Sequence, residues 1–330
     1  MNSAQNNPWM RWGKRALTLF FLLAVPALLY MLARNLDWGE VRQSLSDYST
    51  RTLLVGLLIT CASYLAFSCY DLLGRKYSRH HLPARQVMPV AMVCYAFNLN
   101  FTTWIGGVAM RYRLYMRLGL GASTVTRILS LSLLTNWTGY MALAGVIFSL
   151  RLVHLPESWG LGVTGLQLVG FALLGVVSAY IGVCAFATQR VWHFRDRAIT
   201  LPSLRMALMQ LCLGASNWAL MAALIYWLLP EGAAYTSVLG VLLISCIAAV
   251  VAHIPAGLGV LETVFLALLQ HQYSQASLIA ALLAYRVLYY LLPLLVASVA
   301  YLVLEKRAKT LRKKGQQAAE PEPHRTVHGA

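Results

Sequence analysis

Apolar residues run through this chain in long stretches almost free of charge. Eight recur, at roughly 16–33, 53–73, 88–110, 128–150, 162–188, 206–229, 236–270 and 277–304. A helix needs about 20 such residues to cross the hydrocarbon core of a bilayer. The strands of a membrane β-barrel would instead alternate apolar and polar positions, and these stretches do not. The pattern predicts an all-α polytopic membrane protein.

The polar segments between the stretches fix a topology. Lys and Arg mark cytoplasmic loops. They concentrate in 1–15, 74–87, 111–127, 189–205 and 305–330, which together hold 22 of the 27. Segments 74–87 and 111–127 are both basic, so both belong on the cytoplasmic side. The stretch 88–110 between them then enters and returns as a re-entrant hairpin. Pro230-Glu231-Gly232 and 271–275 contain no Lys or Arg, so both belong outside. The stretch 236–270 then enters and returns from the opposite side. The prediction is about six full spans plus two opposed re-entrant hairpins, with both termini cytoplasmic.

The two hairpins echo each other. Ile105-Gly106-Gly107-Val108-Ala109 resembles Pro255-Ala256-Gly257-Leu258-Gly259, 150 residues later and inversely oriented. Paired, Gly/Pro-interrupted segments in opposite halves point to the site of an inverted-repeat transporter. The bland alternative is two ordinary helix breaks. Gly106, Gly107, Pro255, Gly257 and Gly259 are the helix-break residues on either reading.

The domain division follows. Residues 1–15 form a cytoplasmic segment and 16–304 one integral membrane domain. Residues 305–330 form a basic cytoplasmic tail, expected to be disordered beyond Lys314. The basic residues before 16–33 resemble the start of a signal peptide. However, the run is long and no small-x-small cleavage site follows, so an uncleaved span is expected. In 38–50, Trp38, Val41, Leu45 and Tyr48 recur at helical spacing among charges, as in an interfacial helix.

Composition narrows the function. Hydrophobic residues make up 59% of the 330 and charged residues 12%, against about 25% charged in a soluble domain. A soluble enzyme and a disordered chain are both excluded. The net charge of +16 would suggest nucleic acid in a soluble protein. Here it lies in short loops beside a membrane, so anionic lipid headgroups are the expected partners. The six Cys lie inside apolar runs and form no CxxC pair. They read as small buried hydrophobes, with no metal ligands expected. No P-loop, HExxH or GxSxG occurs, so neither an ATP motor nor a familiar hydrolase site is implied. No cofactor is implied either.

A few intramembrane polar residues could carry chemistry. Arg286 lies about ten residues into the last stretch, and a guanidinium at that depth costs about 2.5–3.5 kcal/mol to insert. It requires a partner or a wet cavity. It serves either as a lock between helices or as a functional charge. Glu262 follows the Pro255–Gly259 break on the first turn of the next helix, where free N–H groups and the dipole favour an anion. It is satisfied locally, or is the counter-ion of Arg286, or is a proton-linked carboxylate. Arg111 and Arg113 follow the first break and either anchor the cytoplasmic face or bind a phosphate headgroup. Asn98 and Asn100 precede that break and suit freed carbonyls or substrate. Asn136 and Asn217 suit helix glue. Asp71 is expected to pair at the interface with Arg75 and Lys76, and His80 and His81 to be solvated.

Several motifs carry a family resemblance. Pro255-Ala-Gly-Leu-Gly-Val-Leu-Glu262 followed by Tyr285-Arg286-Val-Leu-Tyr289 and Pro293 resembles the flippase-like membrane domain of lysylphosphatidylglycerol synthases. Cys69-Tyr-Asp-Leu-Leu73, Cys94–Leu99, Arg111-Tyr-Arg-Leu-Tyr115 and His253–Gly257 are similar to its stand-alone branch in the inner membrane of Gram-negative bacteria. The likeness covers roughly 10–310 and implies a lipid translocase of the plasma membrane. In the synthases a separate cytosolic domain makes the aminoacylated lipid. No counterpart occurs in these residues, so aminoacyl transfer is not expected. Where the family often has two glycines after the proline, Ala256 takes the first place.

The resulting expectation is a flippase moving an anionic phospholipid or a polyprenyl-phosphate-type lipid between leaflets. Its substrate-binding residues would be Asn98, Asn100, Arg111, Arg113, Glu262, Tyr285 and Arg286. Two alternatives belong to other classes. One is a non-transporting scaffold that partners lipid-synthesis enzymes. The other is an enzyme acting on a lipid headgroup, for which no nucleophile–base set is visible.

Overall fold

The computed structural model describes residues 38–101, 107–153, 162–188, 191–194, 197–232, 234–252 and 257–303. The predicted span 16–33 and both terminal segments lie outside these residues, as do Gly106 and Pro255.

The described chain is helical. A short helix α1 (Trp38–Ser46) leads to α2 (Thr50–Ser78), α3 (Ala84–Asn100), α4 (Met110–Arg117), α5 (Ala122–Ser149) and α6 (Gly162–Phe186). The second half holds α7 (Leu204–Leu228), α8 (Tyr235–Ala252), α9 (Val260–Leu269) and α10 (Gln275–Val303). Between α6 and α7 a short antiparallel ribbon pairs β1 (Val191–Phe194) with β2 (Arg197–Thr200), Val191 opposite Thr200. The basic loop 189–205 therefore carries a small β-hairpin.

Six described helices are long and apolar enough to cross a bilayer: α2, α5, α6, α7, α8 and α10. Five coincide with predicted spans. The sixth, α8, is the first arm of the predicted second hairpin. At 18 residues it extends about 27 Å, nearly the hydrocarbon thickness. Helix α9 is only 10 residues long and crosses nothing by itself.

Local signals explain where the helices start. Ser49, Ser203 and Ser274 each cap a helix by accepting from the backbone N–H three residues on. These serines satisfy donors that would otherwise be orphaned at a helix start. Helix α2 outruns its predicted 53–73 at both ends because the polar Ser49 cap and the basic Arg75 and Lys76 continue it past the apolar core.

Helix α7 is central, packing on α2, α5, α6, α8 and α10. It meets α5 at Gly139 and Gly214, where a Cβ on either residue would collide with the other helix's backbone. Small residues at such crossings let membrane helices approach closely enough for dispersion to hold them.

The basic segments meet at one end of the bundle. Gly74 packs against Ile128, and the Tyr77 hydroxyl donates to the Thr200 carbonyl. Segments 74–87, 111–127 and 189–205 therefore share that end. His80 is half-buried there rather than solvated, its Nδ1 accepting from Leu82 N–H at 3.2 Å. Burial and the nearby Arg75 and His81 push its pKa down.

The opposite end holds the segments poor in Lys and Arg. Trp227 Nε1 donates to the Thr52 carbonyl, and Gly232 lies beside the Tyr273 hydroxyl. Helix α1 lies on this end against α10, with Val41 buried and Ser274 Oγ donating to Glu40 at 3.2 Å. The Tyr48 hydroxyl donates to the Leu228 carbonyl at 2.6 Å, and burial pushes its pKa up to about 12. The outer ends of α3 and α4 thus both lie at the basic end. The outer ends of α8 and α9 both lie at the other.

Candidate functional site

Each broken segment carries a buried ion pair beside it. At the first break α3 ends at Asn100, and the chain resumes through a π-helical turn over 107–109 into α4. Arg111 lies on the first turn of α4. Its Nη2 reaches Asp71 Oδ1 on α2 at 3.1 Å, and its Nε reaches Oδ2 at 3.3 Å. Asp71 therefore pairs across the bundle with Arg111, not at the interface with Arg75 and Lys76 as the sequence suggested. A carboxylate in an apolar helix takes the cation that can be buried with it, and a planar guanidinium offers two parallel donors.

Hydroxyl groups complete that cluster. Tyr115 donates to Asp71 Oδ2 at 2.8 Å, and Arg111 Nη2 donates to Ser132 Oγ at 3.1 Å. Arg111 Nη1 reaches the Gly107 carbonyl at 3.5 Å, and its guanidinium lies 5.6 Å from the Phe67 ring centre. The side chains of Arg111 and Asp71 are 4% and 0% exposed. This pair is sealed.

The second break lies between α8 and α9. Gly257 and Gly259 adopt φ of +57° and +78°, left-handed conformations that favour glycine. Gly259 stands directly before α9, so the left-handed residue re-aims the chain into the new helix. Glu262 lies on the first turn of α9, where its charge complements the helix dipole. Arg286 reaches it from α10, with Nε to Oε1 at 2.5 Å and Nη2 to Oε2 at 3.1 Å. Arg286 Nη2 also donates to the Gly257 carbonyl at 3.1 Å, and the guanidinium lies 5.4 Å from the Tyr290 ring centre.

Arg286 is 11 residues beyond the start of α10, about 17 Å along the axis. Just beyond it the helix winds as a π-helix over Val287–Leu291. Such stretches shift side chains out of the regular register and recur at functional sites. The side chains of Arg286 and Glu262 keep 11% and 9% exposure. Leu258, Val287 and Leu291, at 41%, 52% and 55% exposure, form an outward apolar margin near them in the chain.

An aromatic column joins the two pairs. Phe67 stacks on Tyr95 with centres 3.6 Å apart, Tyr95 meets Tyr289 edge-on, and Tyr289 stacks on Tyr285 at 5.3 Å. Tyr285 meets Tyr290 edge-on under Arg286. Within the column, the Tyr95 and Tyr289 hydroxyls bond at 2.8 Å, and Ser63 bonds Tyr289 at 2.7 Å. Ser63 donates to Asn217 Oδ1, and Asn217 Nδ2 donates to the Tyr95 hydroxyl. Ser63 and Asn217 both sit halfway along their helices, so this network marks the middle of the bundle.

The expected site residues fall into three groups. Glu262 and Arg286 stand together, with Gly257 against them. Asn100 joins them indirectly, because its Nδ2 donates to the Tyr290 carbonyl at 3.1 Å and to the Ala96 carbonyl at 2.9 Å. Tyr285 is fully buried in the column behind them. Arg111 is in the other cluster, its guanidinium engaged with Asp71. Arg113 is exposed at the basic end, 5.6 Å from the Tyr301 ring centre. Asn98 is half-buried, and its Oδ1 is enclosed with no hydrogen-bond partner among the described residues.

Sequence alone does not mark Asp71, Tyr115, Ser132 and Tyr290 as site residues. Asp71 alone carried a signal. It is the sole acidic residue between Asp47 and Glu157, two turns inside an apolar helix, and a buried acid calls for a buried base. Among the described residues no cluster of three or more His, Cys, Asp or Glu could hold a metal.

Comparison with known proteins agrees with the motifs. The pattern of the lysylphosphatidylglycerol synthase TM region matches residues 16–297. The inner membrane protein YbhN of Escherichia coli is 49% identical over 316 residues, covering 96% of this chain and 99% of its own. An uncharacterized protein of Synechocystis sp. is 28% identical over 306 residues, covering 90% and 94%.

Proposed function

The chain belongs to the family of the lysylphosphatidylglycerol synthase TM region, and from that premise we propose that it moves a phosphate-bearing lipid between the leaflets of a bacterial inner membrane. The anionic phospholipids and polyprenyl phosphates expected from sequence both carry such a phosphate. The inner-membrane placement follows the name of its Escherichia coli relative.

One observation carries the reading. Glu262 and Arg286 form a charged pair deep in an apolar bundle, partly accessible, beside backbone broken at Gly257 and Gly259. A merely structural pair gains nothing from incomplete burial or from a left-handed break beside it. A translocation pathway needs a polar foothold at mid-depth, because the headgroup, not the acyl chains, meets the barrier.

In this reading the segments 84–117 and 235–269 are opposed re-entrant units that enter the bilayer from the two sides. The two ends at which their outer limits lie support this. Arg113 and the other basic residues would gather headgroups at the cytoplasmic entrance. Glu262–Arg286 would receive them midway. No phosphate-binding loop for ATP is present, so movement is passive or ion-coupled.

The test is leaflet exchange of fluorescent phospholipids in proteoliposomes containing the full chain. Exchange above protein-free vesicles is expected, with loss in Arg286→Gln. Equal exchange with and without protein, under an imposed ion gradient, transfers the weight to the scaffold reading. Capture of a lipid-synthesis enzyme would then be the next measurement.

A further inference from the structure

The Glu262–Arg286 pair is already electrically closed, and this limits what it can exchange for. Both carboxylate oxygens of Glu262 bond the guanidinium, so the site has no net charge to offer a bare anion. An anionic headgroup reaching Arg286 would displace Glu262. The carboxylate would then stand buried without its cation, next to a second negative charge. Removing one partner from a buried pair is strongly unfavourable.

A headgroup that brings its own cation avoids that penalty. Its phosphate takes the guanidinium fork, which suits phosphate bidentately. Its ammonium takes the Glu262 carboxylate. Two charge-assisted contacts replace one pair, and the site stays neutral. We infer that the lipid carried here has a dipolar headgroup of zero net charge, one phosphate and one primary ammonium, as in an ethanolamine phospholipid. Glu262 and Arg286 part to take one charge each. This rests on the translocase reading and narrows its substrate.

The geometry divides the labour. Arg286 is pinned on two further sides, by the Gly257 carbonyl at 3.1 Å and the Tyr290 ring at 5.4 Å. It stays in place when the carboxylate leaves, as a fixed phosphate receiver. Glu262 is the part that turns away. The exposed apolar margin of Leu258, Val287 and Leu291 would leave the acyl chains in the bilayer while the headgroup enters sideways.

Other headgroups fit worse, for identifiable reasons. A trimethylammonium has no N–H to give Glu262, and quaternary ammonium is held by aromatic faces; that of Tyr290 is already under Arg286. A lysylated headgroup brings a surplus cation. Among the described residues Asp71 and Glu262 are the acidic side chains within the spans, and Asp71 is committed to Arg111. A surplus cation therefore finds no carboxylate.

The experiment uses full-length protein in proteoliposomes and lipids labelled on one acyl chain, so that the headgroups stay intact. Ethanolamine, choline, glycerol and lysyl-glycerol headgroups are compared. The expected result is exchange of the ethanolamine lipid faster by about tenfold, the worth of one good charge-assisted hydrogen bond. Glu262→Gln should erase this preference over the glycerol headgroup while leaving the protein folded. Equal or faster movement of the choline, glycerol or lysylated lipid by the wild type overturns the inference, as does a preference over the glycerol headgroup that survives Glu262→Gln. If no lipid moves, the translocase reading fails instead. Thermal shifts with short-chain lipids in detergent then still decide the headgroup. Greater stabilisation by the ethanolamine lipid, lost in Glu262→Gln, upholds the dipolar site, and equal shifts overturn it.

Discussion

The two ion pairs are built from the same parts and finished differently. Each has a carboxylate, an arginine, a glycine carbonyl at a helix break and an aromatic ring under the guanidinium. The accepting glycines are Gly107 and Gly257, 150 positions apart, as in the echo between the two halves. Around Asp71 and Arg111 the hydroxyls of Tyr115 and Ser132 add further hydrogen bonds, and the cluster is closed to solvent. Glu262 and Arg286 lie at a more open margin beside backbone in rare conformations. The lesson is that a buried pair becomes a lock when its surroundings are completed and a site when they are not.

The sharpest way to break this comparison is to remove each carboxylate's charge. Asp71→Asn strands the sealed Arg111 with hydroxyls and a carbonyl only. A cost of about 3–5 kcal/mol is expected, enough to consume much of a typical stability. Glu262→Gln should cost roughly half as much, because Arg286 is partly exposed and keeps Gly257 and Tyr290. Thermal unfolding in detergent measures both. The reverse order would mean that the sealed pair is not the lock.

Charge reversal sharpens the distinction at a smaller scale. The double exchange Glu262→Arg with Arg286→Glu should recover part of the stability lost by either single change, roughly 1–2 kcal/mol, because the open margin lets the longer side chain turn. The double exchange Asp71→Arg with Arg111→Asp should recover almost nothing. There Tyr115 donates into the carboxylate position, and a guanidinium placed in it would face a donor. Equal recovery at both sites would erase the distinction.

Much of the architecture was legible in the sequence because a bilayer imposes a simple code. Five predicted spans appear as helices of the expected type. The described helices stop at Asn100 and Ala252, next to the Gly- and Pro-containing stretches, and Gly257 and Gly259 beyond the second stop adopt left-handed backbone. Sequence leaves three roles open for Glu262, and in the structure it pairs with Arg286. Sequence pairs Asp71 with its nearest basic neighbours, because it shows proximity along the chain and not the packing that sets Arg111 beside Asp71. The hydroxyls of Tyr115 and Ser132 had no periodic or charge signal at all. Whether a buried pair is sealed depends on such neutral neighbours, so the contrast between the two sites was invisible before the fold.

The backbone offers the next test. Gly259 precedes α9 at φ +78° and Gly257 lies at +57°. Gly259→Ala should destabilise by about 1 kcal/mol or a little more, since an alanine must be forced into the left-handed region. At Gly257 a Cβ would also approach the Ala249 Cβ to 3.3 Å, so the penalty there should be at least as large. Both should lower headgroup exchange beyond their effect on stability, because the Gly257 carbonyl holds Arg286. A matching loss of stability with unchanged exchange would make the break structural only.

The smallest expected effect concerns the column between the pairs. Tyr289→Phe removes a hydroxyl bonded to Ser63 and Tyr95. Tyr95→Phe removes the acceptor that Asn217 Nδ2 uses at 3.2 Å. Each should cost about 1 kcal/mol. The double variant should cost less than the sum by roughly 0.5–1 kcal/mol, since either change already breaks the shared bond. The rings remain, so stacking from Phe67 to Tyr290 persists. If the column is a passive spacer, the difference in stability between Asp71→Asn and Glu262→Gln should be the same in the double-phenylalanine background. If that difference shrinks, the hydroxyl network transmits strain between the pairs, and lock and site must be treated as one cooperative unit.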